Sequence, residues 1–201
     1  MTSALLKSWS NNQHSMRNMR EIQVMFLFSI GITKGKWGTL LTNLLAFKRA
    51  YDSNLPLAEV LPEIAAQYPS RYRNVRLHDL GDELFEYLRK SRPGDLLNAA
   101  YEGLPDADMT PREGYERLVT GDVEAVPVHE LANRTAANAV MPYPPGIPML
   151  MSGENFGGAD SPQIGYLRSM QNREQQFPGF AGVIEGAELI DGTYHVLCVK
   201  Q

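Results

Sequence analysis

Residues able to do nucleophilic, acid–base or metal chemistry are sparse in this chain, and their spacing joins none of them into a machine. The four histidines, His14, His78, His129 and His195, show no metal-ligand spacing and no Ser-His-Asp pattern. Cys198 lies between Leu197 and Val199 with no base nearby, and reads as a small core residue. His195 alternates with Tyr194 and Val196, the pattern of an exposed strand position. Asp79 and Glu83 form a carboxylate pair at i,i+4, yet nothing beside them suggests a metal, and charges on a helix face usually sit in water. Asp160-Ser161 precedes Pro162 and reads as a helix cap, not a nucleophile. Residues 31–36, GITKGK, have the composition of a phosphate loop, but the spacing is one residue short. Trp37 also stands where Ser or Thr would bind magnesium. No catalytic residue and no metal site is assigned.

The stretch that organises the chain is instead structural. Residues 141–154, MPYPPGIPMLMSGE, hold Pro142, Pro144, Pro145 and Pro148. Each proline lacks an N–H and fixes φ, and each pushes its predecessor towards extended backbone. The segment cannot be a helix and makes a poor central strand. Apolar runs flank it, and Gly146 is the one residue at its turn free of a side chain. It reads as a stiff wall, or as a proline-rich connection between strands.

The elements around it follow from periodicity and punctuation. Residues 22–29, IQVMFLFS, form an apolar run of strand length. Thr33 can cap a helix in which Trp37, Leu40, Leu41, Leu44, Leu45 and Phe47 fall at helical spacing, ending near residues 51–54. Pro56 opens a second helix over 57–67, with Leu57, Val60, Leu61 and Ile64 on one face and Pro62 kinking or splitting it. Tyr68-Pro69-Ser70 closes it. A third helix over 78–90 carries Leu80, Leu84, Phe85 and Leu88 as its core stripe. Pro93-Gly94 breaks the chain, and a short helix follows through Tyr101. Thr110-Pro111-Arg112-Glu113 is a capping box that starts another, stopped by Gly121. Residues 124–128, 134–140 and 148–151 read as strands. Ser161-Pro162 starts a further helix, ended by Phe177-Pro178-Gly179-Phe180. Residues 187–190 and 193–199 pair across Asp191-Gly192, a type I′ hairpin signal. The fold expected is α+β, with a strand-plus-helix tail of an α/β domain before a helix-rich region that carries a small β-sheet.

Composition narrows the function classes. Of 201 residues, 43% are hydrophobic and 21% charged, which is ordinary for a globular protein. The net charge of −4 gives no basic footprint for nucleic acid. A single cysteine excludes an intrachain disulfide and fits a reducing compartment. No apolar run approaches the ~18 residues of a membrane span. The apolar stretch at residues 4–6 is too short for a signal sequence, so a cytoplasmic location is expected.

Several of these stretches also resemble one family in a common order: FLFSIGITKGKWGTL (26–40), HDLGDELFEYL (78–88), TPREGYERLV (110–119), PYPPGIP (142–148), ENFGGADSPQIGYLRSMQ (154–171), FPGF (177–180) and EGAELIDGTYHVLCVK (185–200). They are similar to the C-terminal part of the bacterial pyridoxal-phosphate-dependent ornithine/lysine/arginine decarboxylases. GKWGTL, GENFG, SPQIGYLRS and YHVLCVK look most like the biodegradative, acid-inducible arginine decarboxylases. The resemblance implies that residues 1–54 are the tail of an aminotransferase-like small domain and residues 55–201 the family's C-terminal domain. It implies arginine as substrate, agmatine and carbon dioxide as products, and a homo-oligomer or a full-length decarboxylase as partner. It places Tyr143 and Gly146 near the substrate channel. Glu154 is then either a carboxylate facing a basic substrate or a cap or salt-bridge residue. Pyridoxal phosphate serves the full-length family, and its lysine there directly follows a histidine. Here the four histidines are followed by Ser15, Asp79, Glu130 and Val196, none of them a lysine. No cofactor is therefore expected on this chain alone. Residues 14–20 depart from the family, lacking a Gly-Ile-Val-Pro-like turn and an acid, which suggests a frame change or a start within a longer gene.

Overall fold

The computed structural model describes residues 33–143, 145–180 and 182–201. The expected strand at residues 22–29 and the divergent residues 1–21 lie outside the described residues. The chain divides into two compact units, which among the described residues run 33–90 and 91–201. The boundary drawn from the sequence at residue 54 falls inside the first unit.

In the first unit, α1 spans Lys34–Asp52. Thr33 occupies its N-cap without a side-chain bond; its carbonyl accepts from the Lys36 N–H at 3.0 Å instead. Gly35 and Lys36 therefore sit in a helical turn, not in a phosphate loop. After α1 the chain turns through Asn54, whose φ is 46°. The Asn54 side chain spans to the start of α5 (Leu77–Ser91): its Oδ1 accepts from the His78 N–H at 2.9 Å and its Nδ2 donates to Asp79 at 3.0 Å. This serves one of the N–H groups a helix start leaves without a partner. Between them lie α2 (Leu57–Val60), α3 (Pro62–Gln67) and α4 (Pro69–Tyr72). Pro62 splits the expected helix, and Leu61 breaks at φ −133°. Pro69, expected to close that helix, starts another turn, because proline suits the first helical position. Leu57, Leu61, Leu77, Leu80 and Leu84 are buried. Phe85, expected in the core, is 44% exposed: it stands ~100° round the helix from Leu84, off the stripe that Leu80, Leu84 and Leu88 define.

The second unit opens with α6 (Pro93–Glu102) and α7 (Pro111–Thr120), which ends at Gly121. Then come β1 (Val123–Pro127), β2 (Met141–Tyr143), α8 (Pro162–Gln176), β3 (Val183–Glu185), β4 (Ala187–Ile190) and β5 (Thr193–Val199). Antiparallel β1, β5 and β4 form one sheet in that order, and β2 pairs with β3 in another. Asp191 and Gly192 take φ of 49° and 78°, the type I′ geometry that the right-handed twist of the flanking strands favours. Tyr194, Val196 and Cys198 alternate inwards from β5 to meet Ile164, Leu167 and Met170 of α8 in the core. Ser161 caps α8, its hydroxyl accepting from the Ile164 N–H at 3.3 Å. Two expected strands are not strands. Residues 134–140 and 148–151 make only isolated bridges, Thr135 with Asn155, Ala136 with Cys198 and Val140 with Leu150. Their backbone groups are paired one at a time with different neighbours, and the strand proper lies at Met141–Tyr143, inside the proline stretch. Pro142 is tolerated there because the sheet has two strands and hence a free edge.

The capping box of α7 is complete. Thr110 Oγ1 accepts from the Glu113 N–H at 3.3 Å, and Glu113 Oε2 accepts from the Thr110 N–H at 2.8 Å. The Thr110 hydroxyl and N–H hold the Glu113 carboxyl below its ordinary range. Replacing Thr110 with Ala is expected to cost about 1 kcal/mol by urea denaturation at neutral pH. A carboxyl depressed in the folded chain stabilises above its unfolded value and loses that effect as pH falls through its folded value. The melting temperatures of the parent and Thr110→Ala chains should therefore draw closer in acid, leaving the part due to the Glu113 N–H bond.

Candidate functional site

The proline stretch is the tip of an excursion that leaves the core at Ala136 and returns at Glu154. Its base is closed twice: the Ala136 N–H donates to the Glu154 carbonyl at 2.8 Å, and the Gly153 N–H to the Ala136 carbonyl at 2.8 Å. Halfway out, the Val140 and Leu150 backbones join at 2.9 Å, and the Met149 N–H donates to the Val140 carbonyl at 2.8 Å. Beyond that, β2 leans on β3, with Tyr143 opposite Val183. The tip turns where the Gly146 N–H donates to the Pro142 carbonyl at 2.8 Å. The Tyr101 hydroxyl, from α6, donates to the Ile147 carbonyl at 2.8 Å, and burial raises that phenol above its ordinary value.

Tyr143 and Gly146 come together in this turn. A Cβ on Gly146 would lie 3.1 Å from the Tyr143 ring, and Gly146 takes φ of 78°, so both space and conformation favour glycine. Tyr143 is 57% exposed and Ile147 45%, which gives the tip an open apolar face. Glu154 is at the other end, in the base. Its Oε2 accepts from the Met151 N–H at 2.7 Å, fastening the turn 151–154. The structure does not bring it to Tyr143 and Gly146.

Residues that the sequence reading passed over build a second feature. A cavity of about 530 Å³ is lined by Asp106, Asp108, Asn133, Asn155, Gly157 and Gln163 among others. Asp108 is held by two donors, the Thr135 hydroxyl at 2.5 Å and the Asn155 amide at 2.7 Å. Gln163 is buried, and its amide donates to the Ala100 and Gly103 carbonyls at 3.1 and 3.3 Å. Arg173, also buried, donates to the Phe180 carbonyl at 2.9 Å and so holds the Phe177-Pro178-Gly179-Phe180 turn. These three acceptors are backbone carbonyls, which leave no side-chain pattern to read.

The remaining candidates are placed as structure. Burial pushes the Cys198 thiol up to about 12. His195 Nδ1 lies 3.1 Å from the Thr193 carbonyl. Asp79 and Glu83 are held apart, by Asn54 and by Arg71 at 2.7 Å. The lining of that cavity does not fit a pyridoxal phosphate group, for want of a lysine. Lys48 and Lys90 pair with Asp52 and Glu86 at 2.5 and 3.1 Å, Lys200 donates to the Gly121 carbonyl, and no lysine lines the cavity.

An α+β unit of this build, with residues 94–200 matching the model of the "Orn/Lys/Arg decarboxylase, C-terminal domain", defines the class: the chain belongs to the Orn/Lys/Arg decarboxylase family. Its similarity is graded within it. It is 54% identical to the biodegradative arginine decarboxylase of Escherichia coli K12, over 98% of this chain and 26% of that protein. It is 45% identical to the lysine decarboxylase LdcA of Pseudomonas aeruginosa, over 88% of this chain and 24% of that one. The solved E. coli constitutive lysine decarboxylase superposes with a TM-score of 0.79 at 36% identity, covering 98% of this chain and 28% of the other. The chain thus spans about a quarter of the length of the curated relatives it matches.

Two glycine substitutions should separate base from tip. A Cβ on Gly153, where φ is 89°, would stand 2.4 Å from the Met109 carbonyl oxygen, a rigid neighbour. On Gly146 it would meet a ring edge that can swing. Gly146→Ala is expected to cost about 1 kcal/mol and Gly153→Ala clearly more, measured by denaturant titration. The reverse order would contradict the clamped base.

Proposed function

We propose that this chain is the C-terminal part of an arginine decarboxylase. In that setting it supplies substrate-channel wall and packing surface to an enzyme that converts arginine to agmatine and carbon dioxide. The observation that carries the reading is the grading of identity, 54% to the arginine enzyme against 45% to a lysine enzyme and 30% to the constitutive ornithine enzyme of E. coli. The stiff excursion supports a wall, with Tyr143 and Gly146 as its channel side and Glu154 as its fastening. The cofactor half of the chemistry belongs to polypeptide outside this chain, consistent with a cytoplasmic enzyme of acid resistance.

The chain alone should release no carbon dioxide from arginine in the presence of pyridoxal phosphate. Borohydride treatment should fix no stoichiometric lysine adduct; one labelled lysine per chain, seen by mass spectrometry, would contradict this. The positive test is a chimera in which this chain replaces the matching part of the E. coli arginine decarboxylase. It should decarboxylate arginine in preference to lysine. Gly146→Ala in that chimera should lower kcat/KM for arginine by about tenfold while leaving cofactor affinity unchanged. Unchanged kcat/KM with a normal melting temperature would reduce the tip to a connector.

A second reading, a module that binds a decarboxylase without itself taking part in turnover, is favoured by one observation: the apolar side of α1, where Trp37, Leu41, Leu44 and Leu45 are exposed.

A further inference from the structure

The cavity of about 530 Å³ in the second unit has the size of a small-molecule site. Its lining has spent donors and kept acceptors. The Gly157 N–H goes to Asn155 Oδ1, and the Asn155 amide to Asp108. The Ser161 N–H goes to the Gly158 carbonyl at 2.9 Å, and Pro105 and Pro162 have no N–H to give. The start of α8 is closed by its own cap, since the Ile164 N–H goes to the Ser161 hydroxyl, so it offers little to an anion. The acceptors are another matter. Both bonds to Asp108 end on one oxygen, Oδ2, and Oδ1 takes none among the described residues. The Asp106 carboxylate takes no hydrogen bond or ion pair among the described residues. Gln163 is 5% exposed, and its nitrogen is committed to the Ala100 and Gly103 carbonyls. Its Oε1 is thereby fixed as an acceptor on the cavity wall, and no described donor meets it. A buried acceptor of this kind calls for a donor.

A cation with N–H groups supplies such donors. Two carboxylates line the cavity, and no lysine, arginine or histidine does. Among the described residues no three His, Cys, Asp or Glu side chains gather as a metal site would require. Two carboxylates and an amide oxygen suit an ammonium or guanidinium group, which makes charge-assisted bonds to each. Leu104, Pro105 and Phe156 add apolar wall for a short alkyl stem. A carboxylate on the ligand would meet two like charges and no cation, so an amino acid is disfavoured against the same molecule without its carboxyl. We infer that this cavity binds a small aliphatic amine or guanidine that carries no carboxylate, through Asp106, Asp108 and Gln163. Where the chain is part of an arginine decarboxylase, agmatine is such a molecule and arginine is not, and the cavity is a site for the reaction's product. That last assignment rests on the proposed function; the site itself rests on the lining.

The test titrates agmatine, arginine, calcium and inorganic phosphate separately into this chain by calorimetry. Agmatine is expected to saturate a single site, arginine to bind about tenfold more weakly, and calcium and phosphate to give no saturable heat. Asp106→Asn should weaken agmatine by about tenfold, as loss of a charge-assisted bond does. The melting temperature of the free chain should not change with it, because that carboxylate has no partner to lose. Glu188→Gln, the same change of charge at an exposed position of β4, should leave agmatine affinity as it was. Amide chemical shifts of the unsubstituted chain give an independent reading: agmatine should move Asp106, Asp108 and the Gln163 side chain. No saturable heat, equal affinity for agmatine and arginine, or calcium binding more tightly than agmatine would overturn the inference. So would equal losses in the two variants, or shifts confined to residues away from the cavity. Arginine turnover by the chimera reports separately. Turnover without agmatine binding sinks the site alone, and agmatine binding without turnover sinks the proposed activity alone.

Discussion

Gly153 is the point on which the second unit's functional face depends. Its carbonyl accepts from the Asp108 and Met109 N–H groups at 3.0 and 3.3 Å, and its own N–H donates to Ala136. One residue therefore ties the returning arm of the excursion both to its outgoing arm and to the segment before α7. The fit is close enough that a Cβ has no room, since the Met109 carbonyl stands in its place. The Ser152 hydroxyl adds a bond to the Ala137 carbonyl at 2.7 Å. Each such bond contributes only about 1 kcal/mol net, but leaving a buried partner unmet costs more. The clamp is thus cheaper to keep closed than to open by halves, and the proline tip beyond it inherits its position.

The two units use apolar surface differently. In the second, Phe156, Leu167, Val196 and Cys198 close a shared core. In the first, six leucines among the described residues are buried while α1 leaves Trp37 and three leucines open. A small unit has little surface to hide relative to its size, so leaving four large apolar side chains in water is a substantial loss.

What was legible in the sequence was local. The Thr110–Glu113 box, the Pro62 split, the Asp191-Gly192 turn and the Ser161 cap each depend on residues a few positions apart, and each stands as read. What was not legible depended on distant partners. Residues 134–140 and 148–151 look like strands because they are apolar, yet their N–H groups scatter: Ala136 to Glu154, Ala137 to Leu197, Val140 to Leu150, and both Met149 and Leu150 to Val140. Phe85 sits at a plausible core position and misses the stripe by one residue. Gln163 and Arg173 are polar by type and buried because backbone carbonyls receive them. At the candidate site, the turn joining Tyr143 to Gly146 was readable from proline and glycine chemistry. The separation of Glu154 from it was not, because it follows from the bridge at Val140 and Leu150.

The central claim is that the excursion is a wall already built in the free chain. Native-state hydrogen exchange tests it most directly, since amides that open only with the whole unit share its protection. The Ala136, Val140 and Gly153 amides should exchange as slowly as those of Val196 and Cys198 in β5, with Gly146 at the tip following them rather than the open loops. Rapid exchange at Gly146 and Val140 beside a protected β5 would mean that the proline stretch is a tethered connector, and the wall would have to be given up.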